Sequence, residues 1–132
     1  MKKLIIILAT ALLGACAHQP PTDQASFDGE VFYLQRIALP PAATMTVSIQ
    51  DISRADAPVI ILARQTAPVK GQVPLPFTLA YDPKQVQTGH SYSVSAHIEL
   101  DGKLLFVSTG RHAVQLNGQD QQPMRIRLDS VQ

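Results

Sequence analysis

Few side chains in this 132-residue chain could do chemistry, and Cys16 is the lone cysteine. A cysteine thiolate is a strong nucleophile at modest pH. His90, His97 and His112 are candidate metal ligands, and His97 and Glu99 would share one face of an extended strand. Zinc needs three or four convergent ligands, and two at this spacing are ordinary on a wet strand face. Ser91, Ser93 and Ser95 repeat with a period of two, but none lies in a G-x-S-x-G nucleophile elbow. Asp51, Asp82, Asp101 and Asp129 stand where strands end or turn, positions that suit aspartate as a cap. No phosphate-binding loop or dinucleotide fingerprint is present. This set supplies no catalytic residue, no cofactor site and no metal site, so the chain reads as a non-enzyme, with hydrolysis only a third choice. Arg36, Arg125 and Arg127 remain as a weak candidate contact for an anion or a protein partner.

The position of Cys16 says more than its isolation. Met1-Lys2-Lys3 is basic, residues 4–13 are apolar apart from Thr10, and Gly14 and Ala15 are small. A basic segment, an apolar segment and a small-residue cleavage site make a secretory signal peptide over residues 1–15. The apolar run is too short to span a bilayer, which needs roughly 20 apolar residues. Leu13-Gly14-Ala15-Cys16 resembles the bacterial lipobox. That resemblance implies cleavage before Cys16, a diacylglycerol thioether on its sulfur and a further acyl chain, commonly palmitate, on its amine. Each buried methylene contributes about 0.8 kcal/mol, so several chains hold a protein on a membrane where one does so only marginally. Ala17 follows the cysteine where an inner-membrane lipoprotein would carry Asp. By resemblance the anchor is in the outer membrane, on its periplasmic face.

Removing Lys2 and Lys3 with the signal leaves nine basic side chains against ten acidic ones, a net of −1. Such a balance creates no field for nucleic acid, and no basic stripe or stacking cluster is present. With Cys16 acylated no thiol is left for a disulfide, so the domain must rely on its core. Residues 16–28 read as the lipidated cysteine and a polar tether (AHQPPTDQASFD), in which Pro20-Pro21 favours extended chain. Residues 29–132 read as one folded domain.

The period beyond Gly29 is two. Tyr92, Val94, Ala96, Ile98 and Leu100 alternate with Ser91, Ser93, Ser95, His97 and Glu99, the pattern of a strand with one wet face. Met45, Val47 and Ile49 repeat it, as do Met124, Ile126 and Leu128. Val31, Tyr33, Ile37 and Leu39 suggest one face of a first strand, which Pro40-Pro41 stops. The continuous apolar run 59–62 reads as a short strand buried on both faces. Asp101-Gly102 suits a type I′ hairpin turn. Asp82-Pro83 suits the start of one helical turn reaching Val86. Pro74 and Pro76 remove N–H groups from one side of segment 73–81, which places it at a sheet edge or bulge. Together these predict an all-β domain, a two-sheet antiparallel β-sandwich of seven or eight short strands.

Four segments, GEVFYLQRIALPPAATMTVSIQDIS, GQVPLPFTLAYD, YSVSAHIELDGKLLFVST and MRIRLDSV, occur in the order seen in YbaY/YscW-type lipoproteins. The resemblance covers roughly residues 29–131. It implies a lipid-anchored β-sandwich facing the periplasm. In the YscW-type branch it implies a pilotin, a chaperone that binds an outer-membrane secretin subunit and helps it reach and assemble in that membrane. It carries over no catalytic residue and does not choose between the branches. The leading expectation is a non-enzymatic protein-binding or pilotin-like module, held on the membrane by acylated Cys16, with a secretin or other outer-membrane protein as partner. The alternative is a small-ligand or glycan-binding lipoprotein. A convergent acidic and aromatic cleft would favour the glycan; an apolar groove or an open strand edge would favour the protein.

Overall fold

A computed structural model describes residues 23–131. The signal peptide, Cys16 and residues 17–22 of the tether lie outside the described residues. Eight strands form: β1 (Ala25–Phe32), β2 (Thr44–Asp51), β3 (Ile60–Pro68), β4 (Leu75–Tyr81), β5 (Tyr92–Leu100), β6 (Lys103–Ser108), β7 (His112–Val114) and β8 (Met124–Ser130). One turn of 3-10 helix, Pro83–Gln85, follows β4. Asp82 caps it, its side chain accepting from the Lys84 N–H at 2.9 Å, and Pro83 stands where no donor is needed.

The all-β reading holds, but the two-sheet arrangement does not. The strands form one sheet in the order β3-β2-β5-β6-β8-β1-β4, with β7 beside β5. A sandwich would need two ladders separated by free edges. Here β6 pairs with β8 (Phe106 opposite Ser130) and β8 pairs with β1 (Val31 opposite Ile126). The sheet therefore curls into a nearly closed barrel that is open between β3 and β4, and the short β7, paired with β5 alone, leaves a second free edge. The β1–β8 pair is also parallel, in a sheet otherwise antiparallel.

The core fills the inside of this curl. Phe27 and Val31 of β1, Val47 and Ile49 of β2, Leu79 of β4, Val94 and Ile98 of β5, and Ile126 and Leu128 of β8 are the largest fully buried side chains. Each alternates with an outward residue, so the period-two pattern is realised as inside and outside. Tyr33 stacks on Phe106 with ring centroids 4.2 Å apart. At the β5–β6 hairpin Asp101 (φ 51°) and Gly102 (φ 78°) both take the left-handed conformation that a type I′ turn needs.

Three readings are corrected. The first strand begins at Ala25, not Gly29, because Phe27 alternates into the core and Ala25–Asp28 pair with β4 from Tyr81 to Thr78. The tether boundary at residue 28 therefore fell inside a strand. The same strand ends at Phe32; beyond it the chain leaves the sheet, and Ile37 is exposed. Tyr33 anchors this irregular segment, its hydroxyl donating to the Ile37 carbonyl. The run 59–62 is not buried on both faces: Val59, Ile60 and Ile61 are 46, 63 and 39% exposed. It opens β3, which pairs with β2 alone and forms one end of the sheet.

Candidate functional site

The break between β3 and β4 is where the sheet could receive something. β4 pairs with β1 alone, so its other edge is free. Leu75, Phe77, Leu79 and Tyr81 point inward and Pro76, Thr78 and Ala80 outward. The prolines thus placed this strand correctly at an edge. The six-residue connection 69–74 links the two free strands and keeps them as neighbours.

A cavity of about 270 Å³ lies along this seam. Met45 and Val47 of β2, Ala67 of β3, Val69 of the connection, and Leu75 and Phe77 of β4 line it, with Gln65 and Lys70 at the rim. Its lining is mostly apolar. Gly29 fixes the position of Phe77. A Cβ on Gly29 would lie 2.3 Å from the Phe77 Cζ and 2.8 Å from the Met124 carbonyl oxygen. The absent side chain is the space the ring occupies, so only glycine allows β1 to carry Phe77 against its backbone while pairing with β8.

The β3 side of the seam is apolar and basic. Val59, Ile60 and Ile61 lie exposed at its start. Arg54 precedes the strand, Arg64 stands at its middle and Lys70 follows it, all three exposed. Among the described residues none of these three cations has an ion-pair partner.

Of the three arginines singled out from sequence, two are already compensated. The Arg125 Nε donates to Glu30 at 2.8 Å while its guanidinium covers the Phe32 ring at 4.3 Å. Arg127 lies 3.5 Å from Asp129. Both sit on the outer face of β8. Arg36 is exposed in the irregular segment after β1 and, among the described residues, forms no ion pair. Nothing brings the three into one site.

A polar cluster that the sequence pattern did not reveal joins the end of β2 to the start of β5. Asp51, whose side chain is 8% exposed, meets the His90 Nδ1 at 2.7 Å. It also accepts from the Ser53 N–H at 3.0 Å and the Ser53 hydroxyl at 2.5 Å. These hydrogen bonds, Ser53 first and His90 next, hold its carboxyl down at about 2. The cluster contains the residue types of a hydrolytic triad in the wrong arrangement. The Ser53 hydroxyl donates to Asp51 and accepts from the Ser91 N–H at 2.9 Å, so it faces the carboxylate and not the imidazole. No base addresses the hydroxyl, and the arrangement works as a clamp across two strand ends. Only the spacing Asp51-x-Ser53, suited to a local side-chain turn, hinted at it.

The remaining candidates do not converge on one another, and Ser93 is buried. Ser95 hydrogen-bonds Ser48 at 3.0 Å on the outer face. His97 and Glu99 are half-buried on that face of β5, and His112 lies in β7. Among the described residues no three His, Cys, Asp or Glu side chains gather as metal ligands.

Comparison with known proteins adds a context. A family model described as the type III secretion system lipoprotein chaperone (YscW) matches residues 22–128. The uncharacterized lipoprotein YbaY of Escherichia coli (strain K12) is 37% identical over 95 residues, covering 71% of this chain and 50% of that protein. The chain thus matches about half the length of that relative. An alternative pilotin from the type II secretion system of Vibrio cholerae superposes with a TM-score of 0.77 at 43% identity, over 83% of this chain and 98% of that one.

Proposed function

This chain belongs to the YscW family of type III secretion system lipoprotein chaperones, and from that premise we propose that it is a pilotin-like lipoprotein of the outer membrane. In this reading acylated Cys16 holds it on the periplasmic face, and the seam between β3 and β4 takes hold of an outer-membrane secretin subunit. The observation that carries the proposal is the seam itself: an opening, apolar inside, between the two end strands of a nearly closed sheet. Likeness over nearly the whole length of a pilotin supports the same reading.

The parts divide the work physically. Several acyl chains bind the bilayer far more firmly than one, and residues 17–22 with Pro20-Pro21 give the domain reach from it. A chaperone needs surface that exchanges contacts, not a reaction centre, and the Asp51–Ser53–His90 cluster is bonded as a clamp. The apolar lining and free edges support a protein partner over a glycan, which would call for acidic and aromatic groups converging in a cleft.

Deleting the gene in cells that make the secretin tests the proposal. Secretin multimers should fall in outer-membrane fractions, return with the wild-type gene, and not return in that membrane with Cys16→Ala. Unchanged multimers in the outer membrane of the deletion strain would refute it.

A further inference from the structure

We infer that β3 receives the partner as an added strand: an extended segment with apolar side chains at alternate positions and a carboxylate between them. The inference rests on the pilotin-like reading and specifies what the seam recognises. β3 is nine residues long, and beyond a bulge at Leu62 its regular free edge, residues 63–68, runs about 20 Å at 3.3 Å per residue. Every second residue along it presents an unpaired N–H and C=O. An open edge of this kind is a template for another chain. Proteins blunt such edges with lysine, proline or early termination. β4 has this protection, since Pro76 lies inside it. In β3 the proline comes only at the last position, Pro68, and the strand opens instead with exposed Ile60 and Ile61.

Register defines the complement. Ala63, Gln65 and Ala67 lie opposite Ile49, Val47 and Met45, so they face the interior side of the seam. Arg64 lies opposite Ser48, on the outer face. A strand added to β3 would send alternate apolar side chains toward the cavity lined by Val47, Leu75 and Phe77. Its intervening residues would face outward beside Arg64, where a carboxylate answers the charge. Unpaired Arg54 and Lys70, before and after the strand, extend the same complementarity.

Two other occupants fit less well. A bilayer could cover the apolar start of β3, because the strand register places Ile60 at the end of the barrel where Ala25 enters. Hydrocarbon cannot satisfy the open edge, however, and bare backbone groups are strongly disfavoured there. A helix packed on the seam satisfies its own backbone and leaves that of β3 unpaired.

Benzoylphenylalanine introduced singly at Ile61, Arg64 or Thr66, or at Arg125 or Arg127, in the full-length lipoprotein in intact cells tests the site. Cross-links to the secretin are expected from the β3 positions and not from β8. Secretin cross-links only from β8 would overturn the inference and move the contact off the seam, while leaving the pilotin-like role itself standing. Cross-links from β3 to lipid alone would overturn it too. Absence of secretin cross-links at every position would remove both. The mode is tested with a synthetic peptide spanning the cross-linked secretin segment, N-methylated at alternate residues in each of the two registers. One register should lose binding at least tenfold and the other should keep it, because only alternate amides face β3. Equal loss in both registers, or in neither, would rule out strand addition. Arg64→Glu should weaken the unmethylated peptide several-fold, and an unchanged affinity would remove the carboxylate from the recognised pattern.

Discussion

Gly29→Ala should destabilise the domain and disturb the seam together. The added methyl would sit 2.3 and 2.7 Å from two Phe77 ring atoms and 2.8 Å from the Met124 carbonyl oxygen. The ring is buried and the carbonyl belongs to the parallel ladder between β1 and β8, so neither yields freely. Overpacking of this kind costs about 1–3 kcal/mol. Reduced freedom of the unfolded chain returns about 0.4–1 kcal/mol, since alanine is less mobile than glycine there. The net should be a loss of about 1–2 kcal/mol. For a domain of this size that lowers Tm by roughly 4–9 °C. Thermal and urea unfolding followed by far-ultraviolet circular dichroism would measure it. Phe77→Leu trims the ring, so the Gly29→Ala, Phe77→Leu double variant should be more stable than the two single losses add up to. The Met124 contact keeps that rescue partial. A Gly29→Ala protein as stable as wild type, or a double variant showing plain additivity, would refute the claim that Gly29 exists to seat Phe77.

Other consequences follow from the same geometry. The Asp51 carboxyl is held at about 2, below its ordinary 3.8. The unfolded chain therefore takes up this proton first as pH falls, and the carboxylate contributes at most about 2 kcal/mol above pH 4 that is lost as pH falls through 2. Asp51→Asn should be less stable at neutral pH and should lose that part of the acid dependence, as denaturant titrations at several pH values would show. A fragment starting at Gly29 lacks Phe27 and half of β1; it should lose about 4 kcal/mol or more relative to one starting at Asp23, visible as a collapsed urea midpoint. Cys16→Ala should abolish acylation, and mass spectrometry of the wild-type protein should find lipid on Cys16.

Much of the fold can be read from local pattern. The alternation through 91–100, the Asp101-Gly102 turn and the cap at Asp82 are short-range effects, and each appears where its residues stand. Pro74 and Pro76 marked an edge because a missing N–H is a property of the residue itself. What escaped depends on distant chain. Phe27 stands alone among polar residues, and only the pairing of its segment with β4, where it lies opposite Leu79, makes its neighbourhood a strand. An apolar run such as 59–62 looks the same whether covered on both faces or left at an edge. The β6–β8 and β1–β8 ladders, which turn two layers into one sheet, join segments some 20 to 95 residues apart. His90 meets Asp51 from 39 residues away. The candidate site shares this difficulty, since it is a gap between two strands and no motif encodes a gap.

Hydrogen exchange on the full-length lipoprotein in detergent, with and without purified secretin subunit, tests the central claim most directly. The account predicts slowed exchange along β3, residues 60–68, with smaller protection in β4 across the seam and none on β8. Secretin binding that protects β8 and leaves residues 60–68 unchanged would contradict it.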